Sequence, residues 1–238
     1  WHHPQPDPIK EALMAWWKKI DLSSTFWRSR YAVISRSWKQ GQIHGETDLL
    51  MTPFAEVIAK EIPQSKFIIL VREPSDFIRS GMRRNYYRGH AWDVGRLRPE
   101  ENSADYKQWN ALNQFEKVCW LWNETYRRIM GMTENLPAER KRIVRFEDLV
   151  AGPEKTQELF DFLELEGFDE GKIKNILKEK LNAQKAGHFP DPSQWGEDLC
   201  MRVESACGKL SERFGYPITS DPMHVETANH TTTNSPGK

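Results

Sequence analysis

An α/β fold, with helices on both faces of a central parallel sheet, is the architecture this sequence predicts, and three observations predict it. Lys66–Arg72 (KFIILVR) and Arg142–Phe146 (RIVRF) are short apolar runs of strand length. The first is continuous rather than alternating, the pattern of a strand buried on both faces. Amphipathic segments lie before, between and after the two runs, so strands alternate with helices and the sheet sits in a three-layer α/β/α arrangement. The 238 residues suit one ordinary domain with a substantial core.

Each element follows in order. Residues 1–8 hold three prolines and read as an irregular lead-in. Ile9, Leu13, Trp16, Trp17 and Ile20 keep helical spacing, and a second helix is expected through Tyr31–Trp38. Thr52-Pro53 opens a helix with Phe54, Val57, Ile58 and Ile62 on its inner face, ended by Pro63. After the first strand, Pro74-Ser75-Asp76 reads as a turn with a helix-cap residue, and Phe77 to about Asn85 continues as a helix. Residues 86–104 are irregular and rich in Arg and Gly. A single long helix is then predicted over 105–132, with Trp109, Leu112, Phe115, Cys119, Trp122, Tyr126 and Ile129 on one face. Beyond the second strand, Gly152-Pro153 opens a helix, and others are expected over 169–181 and 197–214, the last stopped by Gly215. Residues 1–218 read as one domain and 219–238, nearly without apolar residues, as a disordered tail.

Composition excludes several classes. There are 34 Lys+Arg against 34 Asp+Glu, so the basic excess of a general nucleic-acid binder is missing, although local basic clusters suit a small anion. No run of 18 apolar residues exists, which excludes a membrane span within this chain. Cys119, Cys200 and Cys207 are too few for a disulfide scaffold and read as reduced core thiols, the last two facing inward. No cluster has metal-ligand spacing, so no metal is expected. Ten tryptophans point to an aromatic core or pocket.

Ligands of open parallel sheets bind at the carboxyl ends of strands. At the first strand end stands Arg72, a planar donor fork suited to bidentate phosphate recognition. Ser80 follows about one turn into the next helix, where its hydroxyl is expected near the first free amides. Arg72-Glu73-Pro74 after the apolar strand, with Ser80 eight residues on, resembles the 3′-phosphate-binding element of sulfotransferases that use 3′-phosphoadenosine-5′-phosphosulfate (PAPS). The second strand with Glu147-Asp148-Leu149, Gly152-Pro153-Glu154 and Phe162-Leu163 is similar to a later strand and helix of that family, and Gln194-Trp195 through Phe214-Gly215-Tyr216 to a closing helix of bacterial members.

The resemblance spans roughly residues 45–217 and implies a P-loop-NTPase-like sulfotransferase fold. It implies an enzyme that moves a sulfuryl group from PAPS to a hydroxyl or amine by in-line transfer, without a metal. Arg72 and Ser80 would bind the 3′-phosphate, and Lys185 and Gly187 match a short basic-Gly element that touches the same group. Phe146 matches a strand-end position near the adenine. His44-Gly45-Glu46-Thr47 resembles the segment that carries the catalytic base, making Glu46 the first candidate and His44 the second, with Thr47 where a lysine is usual. The family's 5′-phosphosulfate loop has no counterpart in residues 1–65; Arg28-Ser29-Arg30 and Arg36-Ser37 lack its glycines and its strand. Because the chain opens at Trp1, the loop and first strand are expected upstream. The acceptor is expected to be a small molecule or glycan and the compartment the cytoplasm, or the Golgi lumen if an anchor lies upstream. The arginines at 79, 83, 84, 88, 96 and 98, among Tyr86, Tyr87, His90 and Trp92, are expected to form an acceptor gate, an anion-binding surface or a solvated mobile loop. The competing reading is a degenerate, non-catalytic relative that binds an anionic ligand or a protein partner. A kinase relative would need ATP and magnesium, and no metal-holding aspartate follows either strand.

Overall fold

The computed structural model describes residues 8–179 and 187–217. The chain runs through α1 (Ile9–Trp16), α2 (Leu22–Lys39), a 3-10 helix (Leu49–Phe54), α3 (Ala55–Glu61), β1 (Phe67–Val71) and α4 (Pro74–Arg83). It continues through a 3-10 turn (Ala91–Val94), α5 (Ala104–Trp109), α6 (Gln114–Met132), β2 (Lys141–Arg145), α7 (Phe146–Ala151), α8 (Glu154–Leu163), α9 (Glu170–Lys178) and α10 (Glu197–Arg213). The described residues are therefore mostly helical, around a two-stranded parallel sheet in which Phe67 pairs with Lys141 and Val71 with Arg145.

Local chemistry explains two departures from the sequence reading. The helix expected over 105–132 is broken into α5 and α6. Asn113 accepts from the Glu116 amide at 3.0 Å while the Glu116 carboxylate accepts from the Asn113 amide at 2.8 Å. This reciprocal capping box starts a new helix where the aromatic stripe alone suggested continuity. The helix around 31–38 is instead longer, because Asp21 accepts from the Ser24 amide and opens α2 at Leu22.

β1 is not buried on both faces. Ile69 and Val71 face the core with Val144, whereas Ile68, Leu70 and Ile143 are 38%, 43% and 40% exposed on the opposite side. A continuous apolar run thus arises here with one face packed and the other partly exposed.

On the packed face, Trp122 and Val118 of α6 are fully buried with Val71, Ile78, Phe115 and Phe214. Trp122 meets Tyr126 and Phe214 edge-on at 5.0 and 6.2 Å between ring centroids. Cys119 and Cys207 lie together where α6 meets α10, both free; the Cys207 thiol donates to the Cys119 carbonyl at 3.6 Å, and the neighbouring Cys119 side chain and burial push it up. Cys200 is only half-buried. A second cluster joins Ala15, Phe26, Ile34, Met51 and Phe54 from α1, α2 and the 3-10 helix. Arg140 stitches this part to the sheet, donating to the carbonyls of Ala59 and Ser65 at 3.1 and 3.0 Å just ahead of β2. α10 ends at Gly215 with φ +78, as its glycine predicts. The tail over 219–238 lies outside the described residues.

Trp122→Ala is expected to lower the unfolding free energy by about 3–5 kcal/mol. Urea denaturation followed by circular dichroism checks this, and a loss well below that range would contradict the tryptophan's central place.

Candidate anion-binding and active site

β1 delivers Arg72 to the carboxyl end of the sheet, and ring side chains fix its backbone. The Trp122 indole donates to the Arg72 carbonyl at 2.9 Å. The Arg72 amide donates to the Tyr126 hydroxyl at 3.3 Å, and that hydroxyl donates to the Leu70 carbonyl at 3.1 Å. Burial pushes the Tyr126 phenol up to about 12, so it stays a neutral donor. The Tyr216 hydroxyl is shared between the Val71 carbonyl at 3.1 Å and Glu147 at 2.6 Å, and Glu147 in turn accepts from the Glu73 amide at 3.0 Å. Glu73 caps α4 by accepting from the Asp76 amide, and burial raises its carboxyl above the usual range.

The Arg72 side chain leaves this frame with its guanidinium 5.3 Å from the centroid of Phe146, the first residue of α7. Arg72 and Phe146, predicted at the two strand ends, are thus brought together. The Arg72 Nε is buried with no hydrogen-bond partner, and its charged neighbour, Asp76, stands 3.8 Å away. Arg79 repeats the pattern, with a buried unpartnered Nε and Asp191 at 3.7 Å. Guanidinium nitrogens held in this way have donor capacity for an external oxyanion.

Ser80 lies deeper in α4 than expected. The helix begins at Pro74, so Ser80 is in its second half and away from the first-turn amides, which Glu73 caps. Its Oγ accepts from Arg84 Nη1 at 2.8 Å. Asp76, Ser80 and Arg84 follow at four-residue spacing and share one face of the helix. Arg83 Nε donates to the Gly187 carbonyl at 3.2 Å, and Gly187 has φ +77, with its Cα so close to the Arg83 carbonyl that a Cβ would collide with it. Only glycine fits there, which places Gly187 against the end of the helix that carries Ser80. Lys185 lies outside the described residues.

Glu46 belongs to a different cluster. Its Oε1 accepts from Arg30 Nε at 2.7 Å, and Arg30 Nη2 lies 2.7 Å from the same oxygen. Arg30 is fully buried on α2 and also contacts Asp48 at 3.4 Å. His44 Nε2 is 3.6 Å from Glu46 Oε2 and has no hydrogen-bond partner. The two candidate bases therefore stand together, but none of Arg72's contacts reaches this segment. The sequence reading missed Arg30: only its place in an otherwise amphipathic helix, on the side of Phe26 and Ile34, hinted at burial.

The other arginine-rich stretches are committed internally. Arg96 is buried against Asp93 at 2.9 Å and stacks 3.5 Å from the Tyr86 ring centroid; Arg98 donates to the Asp93 carbonyl at 3.4 Å. Burial opposes ionisation of Asp93, yet the Arg96 hydrogen bond holds it below the usual range. Arg28 pairs with Glu11 and Ser29 donates to its own helix, so Arg28-Ser29-Arg30 forms no anion loop, and residues 8–65 contain no strand. Among the described residues no group of three or more His, Cys, Asp or Glu side chains is arranged to hold a metal, and no helix is long and apolar enough to cross a membrane.

A strand-end arginine on an aromatic ring, a serine-bearing helix beside it and a glycine closing over that helix stand together in an α/β protein. More particularly, the chain belongs to the sulfotransferase family, whose sequence model matches residues 15–170 and so takes in Glu46, Arg72, Ser80 and Phe146. Among solved structures, the sulfotransferase domain from the curacin biosynthetic pathway is similar over 88% of this chain and 78% of that one, at 17% identity and a TM-score of 0.40. No curated protein matches the chain.

Arg30→Met leaves Glu46 and Asp48 with a buried charge and no guanidinium, and is expected to cost about 3–5 kcal/mol of folding stability. Chemical denaturation measures it, and near-wild-type stability would show that the cluster is not a structural support.

Proposed function

We propose that this chain moves a sulfuryl group from PAPS to a hydroxyl or amine of a small molecule or glycan, with Arg72 and Ser80 holding the 3′-phosphate. The observation that carries the reading is the buried, unpartnered Nε of Arg72 at the end of β1. A donor so placed suits a phosphate oxygen, and the Gly187 turn, where a Cβ has no room, suits close backbone approach beside it. Gly187 closes over the same phosphate, and Phe146 lies along the adenine. When bound, PAPS supplies the sulfuryl group and leaves as adenosine 3′,5′-bisphosphate.

The residues of this chain then have distinct tasks. Arg72 neutralises charge and fixes the nucleotide, limiting the motions open to the transferring group. Glu46 and His44 act together on the acceptor proton. Arg30 holds one carboxylate oxygen of Glu46, leaving the other toward His44, so the pair rather than either group alone receives the proton as the acceptor attacks. In an active sample, Glu46→Gln and His44→Asn are each expected to lower kcat about a hundredfold or more. Unchanged kcat in both variants would remove the pair from the chemistry.

One observation favours a second reading, a relative that binds the nucleotide or another anion without transferring sulfate. Arg30 already occupies Glu46, and residues 8–65 form helices without a strand-and-loop element. Release of adenosine 3′,5′-bisphosphate from PAPS with a panel of phenol, sugar and amine acceptors separates the two readings.

The nucleotide site itself is tested by calorimetric titration with adenosine 3′,5′-bisphosphate. Arg72→Ala is expected to weaken binding by about 2–4 kcal/mol, roughly 30- to 700-fold. Unchanged affinity would overturn the assignment.

A further inference from the structure

Several hydroxyls on or at the ends of the helices satisfy themselves by bonding back to a carbonyl three or four residues earlier. Ser29 donates to the Phe26 carbonyl at 2.8 Å, Ser37 to Val33 at 3.3 Å and Thr133 to Ile129 at 2.8 Å. Such back-bonding is the ordinary resting state of a helical serine or threonine. Ser80 differs. It accepts from Arg84 Nη1 at 2.8 Å, and among the described residues its own hydrogen has no acceptor. A hydroxyl carries one donor and two lone pairs, so the guanidinium bond uses a lone pair and leaves the donor to point elsewhere. The same bond polarises the hydroxyl, strengthening it as a donor toward an anion.

We infer that Arg84 is a positioning residue for the nucleotide site: it holds Ser80 as an outward hydroxyl donor and sets the preference for a phosphate monoester on the ribose. This rests on the assignment of Ser80 to the 3′-phosphate. Asp76, Ser80 and Arg84 follow at four-residue spacing, Arg84 standing just past the last residue of α4; Arg84 is 2.8 Å from Ser80, and Arg72, on the loop before the helix, is 3.8 Å from Asp76. Arg83 and Gly187 clamp the end of the same helix, which fixes the turn from which Arg84 reaches back. A phosphate oxygen placed at Ser80 receives a hydrogen bond from a hydroxyl so held, whereas a nucleotide without the 3′-phosphate gains nothing from it.

The test compares adenosine 3′,5′-bisphosphate with adenosine 5′-monophosphate by calorimetry on the full chain. The readout is the ratio of the two dissociation constants for wild type, Arg84→Gln, Arg84→Lys, Ser80→Ala and the Ser80→Ala/Arg84→Gln double variant. Arg84→Gln is expected to reduce the preference for the bisphosphate about tenfold to thirtyfold, and Arg84→Lys to restore most of it. The double variant is expected to lose no more than the larger single variant, because Arg84 acts through Ser80. Strictly additive losses would make Arg84 a direct ligand and overturn the positioning role. An unchanged ratio in Arg84→Gln, with wild type and Arg72→Ala still differing, would overturn it while leaving the nucleotide site intact. Absence of any bisphosphate preference in wild type would instead fail the underlying assignment, and this inference with it.

Discussion

Every other feature of the candidate site depends on how the backbone is held where β1 ends. A parallel strand that stops pairing leaves carbonyls and amides that must find partners or lose stability. Here Trp122 takes the Arg72 carbonyl, Tyr126 bridges the Arg72 amide and the Leu70 carbonyl, and Tyr216 reaches the Val71 carbonyl. The donors are rings, with few rotatable bonds and large buried faces, so they anchor the strand end and fill the core with the same atoms. The backbone at Arg72 is therefore tied directly to side chains of the hydrophobic core.

Charge is sorted by the same logic. The formal balance of 34 basic and 34 acidic residues hides two populations of arginine. Arg30, Arg96 and Arg140 are spent inside the fold on carboxylates or carbonyls at close range. Arg72 and Arg79 have acidic neighbours only at 3.8 and 3.7 Å, with an Nε left over on each. The first population holds secondary structures together; the second retains electrostatic capacity at one end of the sheet.

Much of this was legible in the sequence where the signal is local. The strands announced themselves as apolar runs, Gly215 ended α10, and Arg72 could be placed at a strand end from its position after Val71. The capping box of Asn113 and Glu116 was also written in the sequence, but the aromatic stripe running through 105–132 hid the break. What depended on distant partners was out of reach. Nothing near Glu46 in the chain pointed to Arg30, sixteen residues earlier. Nothing near Leu70 indicated that one side of the strand is left partly open. The depth of Ser80 was misplaced because the helix starts at the proline, as early as the chain allows. The fold class was readable from periodicity, while the environments of the charged groups required the third dimension.

β1 and β2 run parallel, so the chain between them must travel back across the molecule before they can meet. Glu73 and Glu147, joined by a hydrogen bond, are 74 positions apart, and Tyr216, 145 positions from Val71, completes the same strand end. Contacts of such long range form late, because loop closure must precede them. A nascent chain therefore cannot complete this strand end, and the candidate site on it, until nearly all of the described sequence has been synthesised and folded. A ligand that recognises the finished strand ends binds the native state alone, and its presence stabilises the whole domain by mass action rather than one local element.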